Sequence, residues 1–69
     1  MAREVRWGYD QATGHWIGDG GDYEYWRVTE GEHAGKFAFM QDGNSNVFYC
    51  DSADEAREDA NRRKKFSGL

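Results

Sequence analysis

The sequence predicts an α+β domain: a small antiparallel sheet of three to four strands, run as a meander and packed on one C-terminal helix. Three observations carry this reading. Residues 23–50 alternate aromatic and β-branched with polar side chains, in runs bounded by Gly, Asp, Asn and Ser, the pattern of strands that bury one face. After Asp51 the apolar spacing changes to three and four, through Ala53, Ala56 and Ala60, which is helical. With 69 residues, the chain has room for one core only, so residues 1–69 form a single domain. Three Trp, four Tyr and four Phe supply that core, since each aromatic can bury roughly 150–250 Å².

In chain order, Val5, Trp7 and Tyr9 alternate with Arg6, Gly8 and Asp10, predicting a strand over 4–9. Asp10-Gln11-Ala12-Thr13-Gly14 reads as a turn, and 15–17 as a short returning strand. Gly18-Asp19-Gly20-Gly21-Asp22 lacks any large apolar side chain and predicts a flexible, exposed loop. The central hairpin spans 23–29 and 36–40. Pairing Val28 with Phe37 and Trp26 with Phe39 puts all four on one face; a slip of one residue would scatter them. Asp42-Gly43-Asn44-Ser45 is strong turn chemistry leading to a last strand over 46–50, with Phe39 opposite Phe48 and Phe37 opposite Cys50. Ser52 followed by Glu55 is a capping box, predicting a helix over 53–65. Its small-residue stripe lets the axis approach large aromatics on the sheet. Acidic residues fill its first half and Arg62, Arg63, Lys64 and Lys65 its last turn, as the helix dipole favours.

The formal charge of −4 is unevenly distributed: residues 8–61 hold twelve carboxylates against three bases, Arg27, Lys36 and Arg57. An acidic body repels phosphates and attracts basic surfaces. No apolar run reaches the roughly 20 residues of a membrane span, no signal-peptide core follows the first residues, and the lone Cys50 suits a reducing compartment. The expectation is a cytoplasmic protein without a membrane partner.

No catalytic residues, cofactor or metal are expected. His15, His33 and Cys50 have no zinc-site spacing, and Asp19, Asp22 and Glu24 lack the closing ligand of a calcium loop. Two surfaces remain as partner-binding candidates. One is acidic: Asp19, Asp22, Glu24, Glu30, Glu32 and Asp42. The other is the sheet face that the proposed register turns away from the helix, carrying Tyr23, Tyr25, Arg27, Met40 and Tyr49, residue types favoured at protein interfaces. Either that face is open for contact, or Trp7, Tyr9 or Trp16 folds over it.

The strand order followed by a helix, over residues 23–65, resembles the three-stranded sheet plus helix of phage-integrase arm-binding domains. That resemblance implies a sheet inserted in a DNA groove with Lys and Arg on its strands. Here the strands and their loops offer Arg27 and Lys36 against Asp22, Glu24, Glu30, Glu32 and Asp42. In size and charge the chain is similar to phage-encoded anti-restriction and anti-CRISPR proteins, which implies an inhibitor that covers a basic nucleic-acid-binding surface by charge mimicry. The alternatives are a DNA-binding accessory protein using Arg3, Arg6 and Arg62, Arg63, Lys64 and Lys65, and a self-associating structural protein that forms a homodimer through the tyrosine-rich face.

Overall fold

A computed structural model describes residues 4–67. The elements are β1 (Trp7–Asp10), β2 (His15–Gly18), a 3-10 turn (Asp19–Gly21), β3 (Tyr23–Arg27), β4 (Phe37–Gln41), β5 (Phe48–Cys50) and α1 (Ala53–Ser67). The strands form one antiparallel sheet in the order β1-β2-β3-β4-β5. The α+β meander with one C-terminal helix is therefore present, with five strands rather than three to four. β2 is an interior strand: all four of its residues pair with β1, and Trp16, Ile17 and Gly18 pair also with Tyr25, Glu24 and Tyr23 of β3.

α1 begins where the capping box puts it. Glu55 N donates to Ser52 Oγ at 3.2 Å, while the Glu55 carboxylate accepts from Asp51 N at 2.9 Å. Ala56 and Ala60 are fully buried, so the helix backbone lies close over the sheet, as small side chains on the helix and large ones on the strands allow. The core comprises Val5, Tyr23, Tyr25, Phe39, Ala56 and Ala60, with Trp7, Trp16, Phe37 and Cys50 packed around it. The β4–β5 register matches expectation, with Phe37 opposite Cys50 and Phe39 opposite Phe48.

The β3–β4 register does not. Tyr25 stands opposite Phe39, Trp26 opposite Ala38 and Arg27 opposite Phe37, one residue from the predicted pairing. Val28 N donates to the Lys36 carbonyl, and Gly35 N to the Val28 carbonyl, both at 2.9 Å, closing the loop one step earlier with Gly35 at a φ of +91°. A one-residue slip exchanges faces. Tyr23 and Tyr25 therefore lie beneath the helix, 4% and 1% exposed, and Trp26 and Val28 face the other way. The physical reason is the hydroxyl: Tyr25 fills the core with its ring and reaches the helix flank, where Arg57 Nε donates to its oxygen at 2.7 Å. A tryptophan there offers only a donor and leaves that guanidinium without its acceptor.

The glycine-rich loop is also more structured than expected. Gly18 is buried at the end of β2; a Cβ there would lie 2.6 Å from Val5 Cγ1 and 2.8 Å from Trp7 Cζ3. The missing side chain lets the Trp7 ring cross β2 and meet Tyr25 edge-on, with centroids 4.8 Å apart. Trp16 stacks on the other side of Tyr25 at 6.1 Å. The N-terminal segment is held over this cluster by Val5 N donating to Asn61 Oδ1 at 2.7 Å.

Candidate partner-binding surface

Strand alternation sorts the side chains into two faces. Trp7, Tyr9, Trp16, Tyr23, Tyr25, Phe37, Phe39, Phe48 and Cys50 share the face that α1 covers. The opposite face presents His15, Ile17, Glu24, Trp26, Ala38, Met40 and Tyr49, extended by Val28. Among the described residues no helix lies over it. Trp7, Tyr9 and Trp16 do not fold across it either, because they belong to the helix side. The β3–β4 loop reaches in through His33, whose ring stacks on Tyr49 at 3.8 Å.

The centre of this open face is an ordered cluster. The His15 ring lies flat on the Trp26 indole, centroids 4.4 Å apart and 10° from parallel, and its Nδ1 meets the Glu24 carboxylate. Ile17 and Met40 flank Glu24, its cross-strand neighbours in β2 and β4. Tyr49 is 45% exposed and Val47, just before β5, 37%. The surface thus combines a flat aromatic and aliphatic centre with fixed polar atoms.

Of the sheet-face residues expected from sequence, Met40 and Tyr49 are on this face. Tyr23 and Tyr25 are core, a correction that follows from the register, and Arg27 is exposed at the end of β3 on the helix side. His15, Ile17 and Trp26 were not anticipated. The sequence of β2, His15-Trp16-Ile17-Gly18, offers an apolar residue in either phase, so it held no signal that would have placed them.

The acidic residues do not form one patch. Asp42 N donates to the Asp22 carbonyl at 2.8 Å, bringing these two exposed residues together at one end of the sheet. There Glu24, Met40, Gln41 and Asp42 help line a cleft of about 150 Å³. Glu30 and Glu32 are exposed in the β3–β4 loop at the other end, roughly 17 Å away along a five-residue strand. Asp19 is not available as a loop acid. Its carboxylate receives Lys64 Nζ at 2.8 Å and the Arg6 N–H at 3.1 Å, and these hold its carboxyl below the usual carboxylate range. Asp51, bonded to Lys36 at 2.7 Å, is lowered for the same reason, and Lys36 is raised in return.

The basic cluster is divided too. Arg63 lies across the sheet edge, with its guanidinium 4.7 Å from the Phe48 ring centroid and 5.4 Å from that of Phe39. It also bonds Asp59 at 3.3 Å and Gln41 at 3.1 Å. Lys64 ties the helix end to Asp19. Arg62 and Lys65 are exposed; Arg3 falls outside the described residues.

No family model matches this chain, and no curated protein or solved structure matches it. The surface therefore has to be read from its own chemistry. Cys50 faces the helix, where burial first, and then Asp59, Glu55 and Asp51, push its thiol up against the opposing effect of Arg63, so it is a poor nucleophile. Among the described residues, no group of three or more His, Cys, Asp or Glu side chains could hold a metal ion, and no helix is long and apolar enough to cross a membrane.

Proposed function

We propose that this protein is a small acidic protein-binding module that engages its partner through the open face of the sheet. The observation that carries the reading is the His15–Trp26 stack, set among Ile17, Met40 and Tyr49 on a face that α1 leaves uncovered. Glu24 at the centre, Asp22 and Asp42 at one end and Glu30 and Glu32 at the other surround the apolar groups with carboxylates. The complementary partner has an apolar patch with a basic rim, since opposite potentials steer encounter and fix orientation. Enzymes that handle nucleic acids carry such rims where phosphates lie, and an inhibitor of the anti-restriction or anti-CRISPR kind would occupy that position. Direct DNA contact through the C-terminal bases is disfavoured because Arg63 and Lys64 are engaged within the fold.

The test begins with fluorescent duplex DNA at low salt, where no saturable binding is expected; binding that weakens steeply with salt would replace this reading with the DNA-binding one. Partners are then captured by cross-linking from a bacterial lysate and their affinities measured. Trp26→Ala and Met40→Lys should each weaken the complex by about tenfold or more, the magnitude of a central contact. Charge reversal of both Asp22 and Asp42 should slow association in a salt-dependent way. Unchanged affinity in all these variants would rule out the open face.

A further inference from the structure

β1 is an edge of the sheet, and its main protection is a single charge, that of Asp10. Natural edge strands are blunted by Lys, Pro, bulges or extreme shortness. β5, at the other edge, has three residues, and Arg63 lies over its Phe48. β1 has four, pairs regularly with β2, and contains neither Lys nor Pro. Beside it lies a shallow depression of about 450 Å³, with Arg6, Gly8, Asp10 and Ile17 among its lining residues. At Gly8 an added Cβ would meet nothing within 4 Å.

The sequence of this edge, Arg6-Trp7-Gly8-Tyr9-Asp10, is self-complementary about Gly8. When a second copy runs antiparallel with Gly8 on the two-fold axis, Arg6 stands opposite the partner's Asp10, and Trp7 opposite the partner's Tyr9. The main chain has the matching phase. Asp19 N donates to the Arg6 carbonyl at 2.9 Å, so Arg6 faces β2, and antiparallel alternation turns the N–H and C=O groups of Trp7 and Tyr9 outward. In this register those residues exchange both hydrogen bonds with their opposites, and the two Gly8 residues form the close pair, with Cα atoms about 4.5 Å apart.

We infer that β1 is a self-association edge through which two copies of this chain join their sheets about a two-fold axis at Gly8. The side chains suit it on both faces. On the helix side, Tyr9 is 54% exposed and would cover the partner's Trp7. On the open side, Arg6 is exposed, and the Asp10 carboxylate is already oriented by Ala12 N at 3.1 Å and Thr13 Oγ1 at 3.0 Å, each oxygen keeping a further lone pair for a guanidinium. The axis is perpendicular to the sheet. Both helices therefore lie on one side and both open faces on the other, doubling the surface carrying Trp26 and Met40.

Sedimentation equilibrium of the full chain at low salt, from micromolar to several hundred micromolar, tests this. The expected result is a mass rising from 8.0 kDa toward twice that value. Arg6→Asp places like charges opposite each other twice and should weaken association on the order of tenfold to thirtyfold. Asp10→Arg should do the same, and an equimolar mixture of the two variants should restore the dimer, because both cross-strand pairs are again opposite in sign. Asp10→Arg also removes turn hydrogen bonds; if it fails to fold, Gly8→Lys substitutes for it. Its side chain has open space in the monomer, so melting should be unchanged, while two like charges meet at the axis and association falls. A monomer at every concentration overturns the inference. So does a dimer indifferent to Arg6→Asp and Gly8→Lys, which would form through the open face or the helix, and so does a mixture of two folded variants that does not associate.

Discussion

The face of the sheet beneath the helix carries eight aromatic side chains, from Trp7 to Phe48, whereas the open face carries Trp26 and Tyr49 among Ile17, Val28, Ala38 and Met40. Beneath the helix, Tyr25 touches Trp7, Trp16 and Phe37 and gives its oxygen to Arg57. On the open face, Trp26, the next residue, stacks on the His15 ring. Composition and covering act together here: a helix of small side chains closes the aromatic-rich face into an interior, while the uncovered face keeps its two large rings partly exposed.

Adjacent residues of β4 give the sharpest way to break that comparison. Phe39 is fully buried, and Phe39→Ala should cost about 3–5 kcal/mol, enough to unfold much of so small a domain at 37 °C. Met40→Ala, one residue on and on the open face, should cost about 1 kcal/mol or less, because water already reaches the site and no closed cavity forms. Urea denaturation of both variants checks this. Comparable losses would mean that the open face is covered in the free protein.

The two glycines of the β1–β2 ribbon make a second contrast. Gly18→Val forces a branched side chain into the space held by Val5 and Trp7 and should destabilise by about 1–3 kcal/mol. Gly8→Val enters open space and should be neutral or slightly stabilising, because β-branched residues favour strands. Thermal melts at a concentration where the chain is monomeric separate the two. Equal effects would remove the assignment of Gly18 as the notch that admits Trp7.

How far sequence reached follows from the same pairs. The helix was legible because its signals agree: Ser52 and Glu55 cap it, and Ala56 and Ala60 mark the buried stripe. The β4–β5 register was legible because the Asp42–Ser45 turn leaves Phe37, Phe39, Phe48 and Cys50 a single common face. β3 was not, because Tyr23-Glu24-Tyr25-Trp26-Arg27-Val28 offers an apolar set in either phase. Hydropathy ranks Trp26 and Val28 above Tyr23 and Tyr25; the choice turns instead on a tyrosine oxygen meeting Arg57, a contact 32 residues apart. The acidic surface failed for a related reason. Charge along the chain does not reveal that Asp19 closes onto Lys64 or that the other carboxylates divide between two ends.

Tyr25→Phe isolates that oxygen. The ring packing survives and Arg57 Nε loses its acceptor, so about 1–2 kcal/mol should be lost, about 7–14 °C in melting temperature for a domain of this size. Arg57 lies 5.4 Å from the Trp16 ring centroid and 5.6 Å from that of Tyr25, and those contacts remain. A double-mutant cycle with Arg57→Met should show coupling; additive losses would mean that the hydrogen bond does not hold the helix flank.

The smallest expected effect is electrostatic, and it compares a pair beside the covered face with one on the rim of the open face. Asp19 sits at a φ of +52°, a left-handed conformation that Asp and Asn tolerate better than most residues, with its carboxyl held below its ordinary value of 3.8 by Lys64 and then by the Arg6 N–H. A carboxyl depressed by folding contributes stability that is complete above its ordinary pKa and is lost as pH falls through the folded value. The denaturation midpoint should therefore decline below about pH 4. Asp19→Asn keeps the backbone conformation and removes the charge, so its midpoint should be lower at neutral pH and flatter through the acid range. Asp51 carries the same sign of shift through Lys36, but its side chain is 76% exposed against 17% for Asp19. Salt should screen the Asp51 contribution first, leaving at high ionic strength an acid slope that Asp19→Asn removes and Asp51→Asn does not.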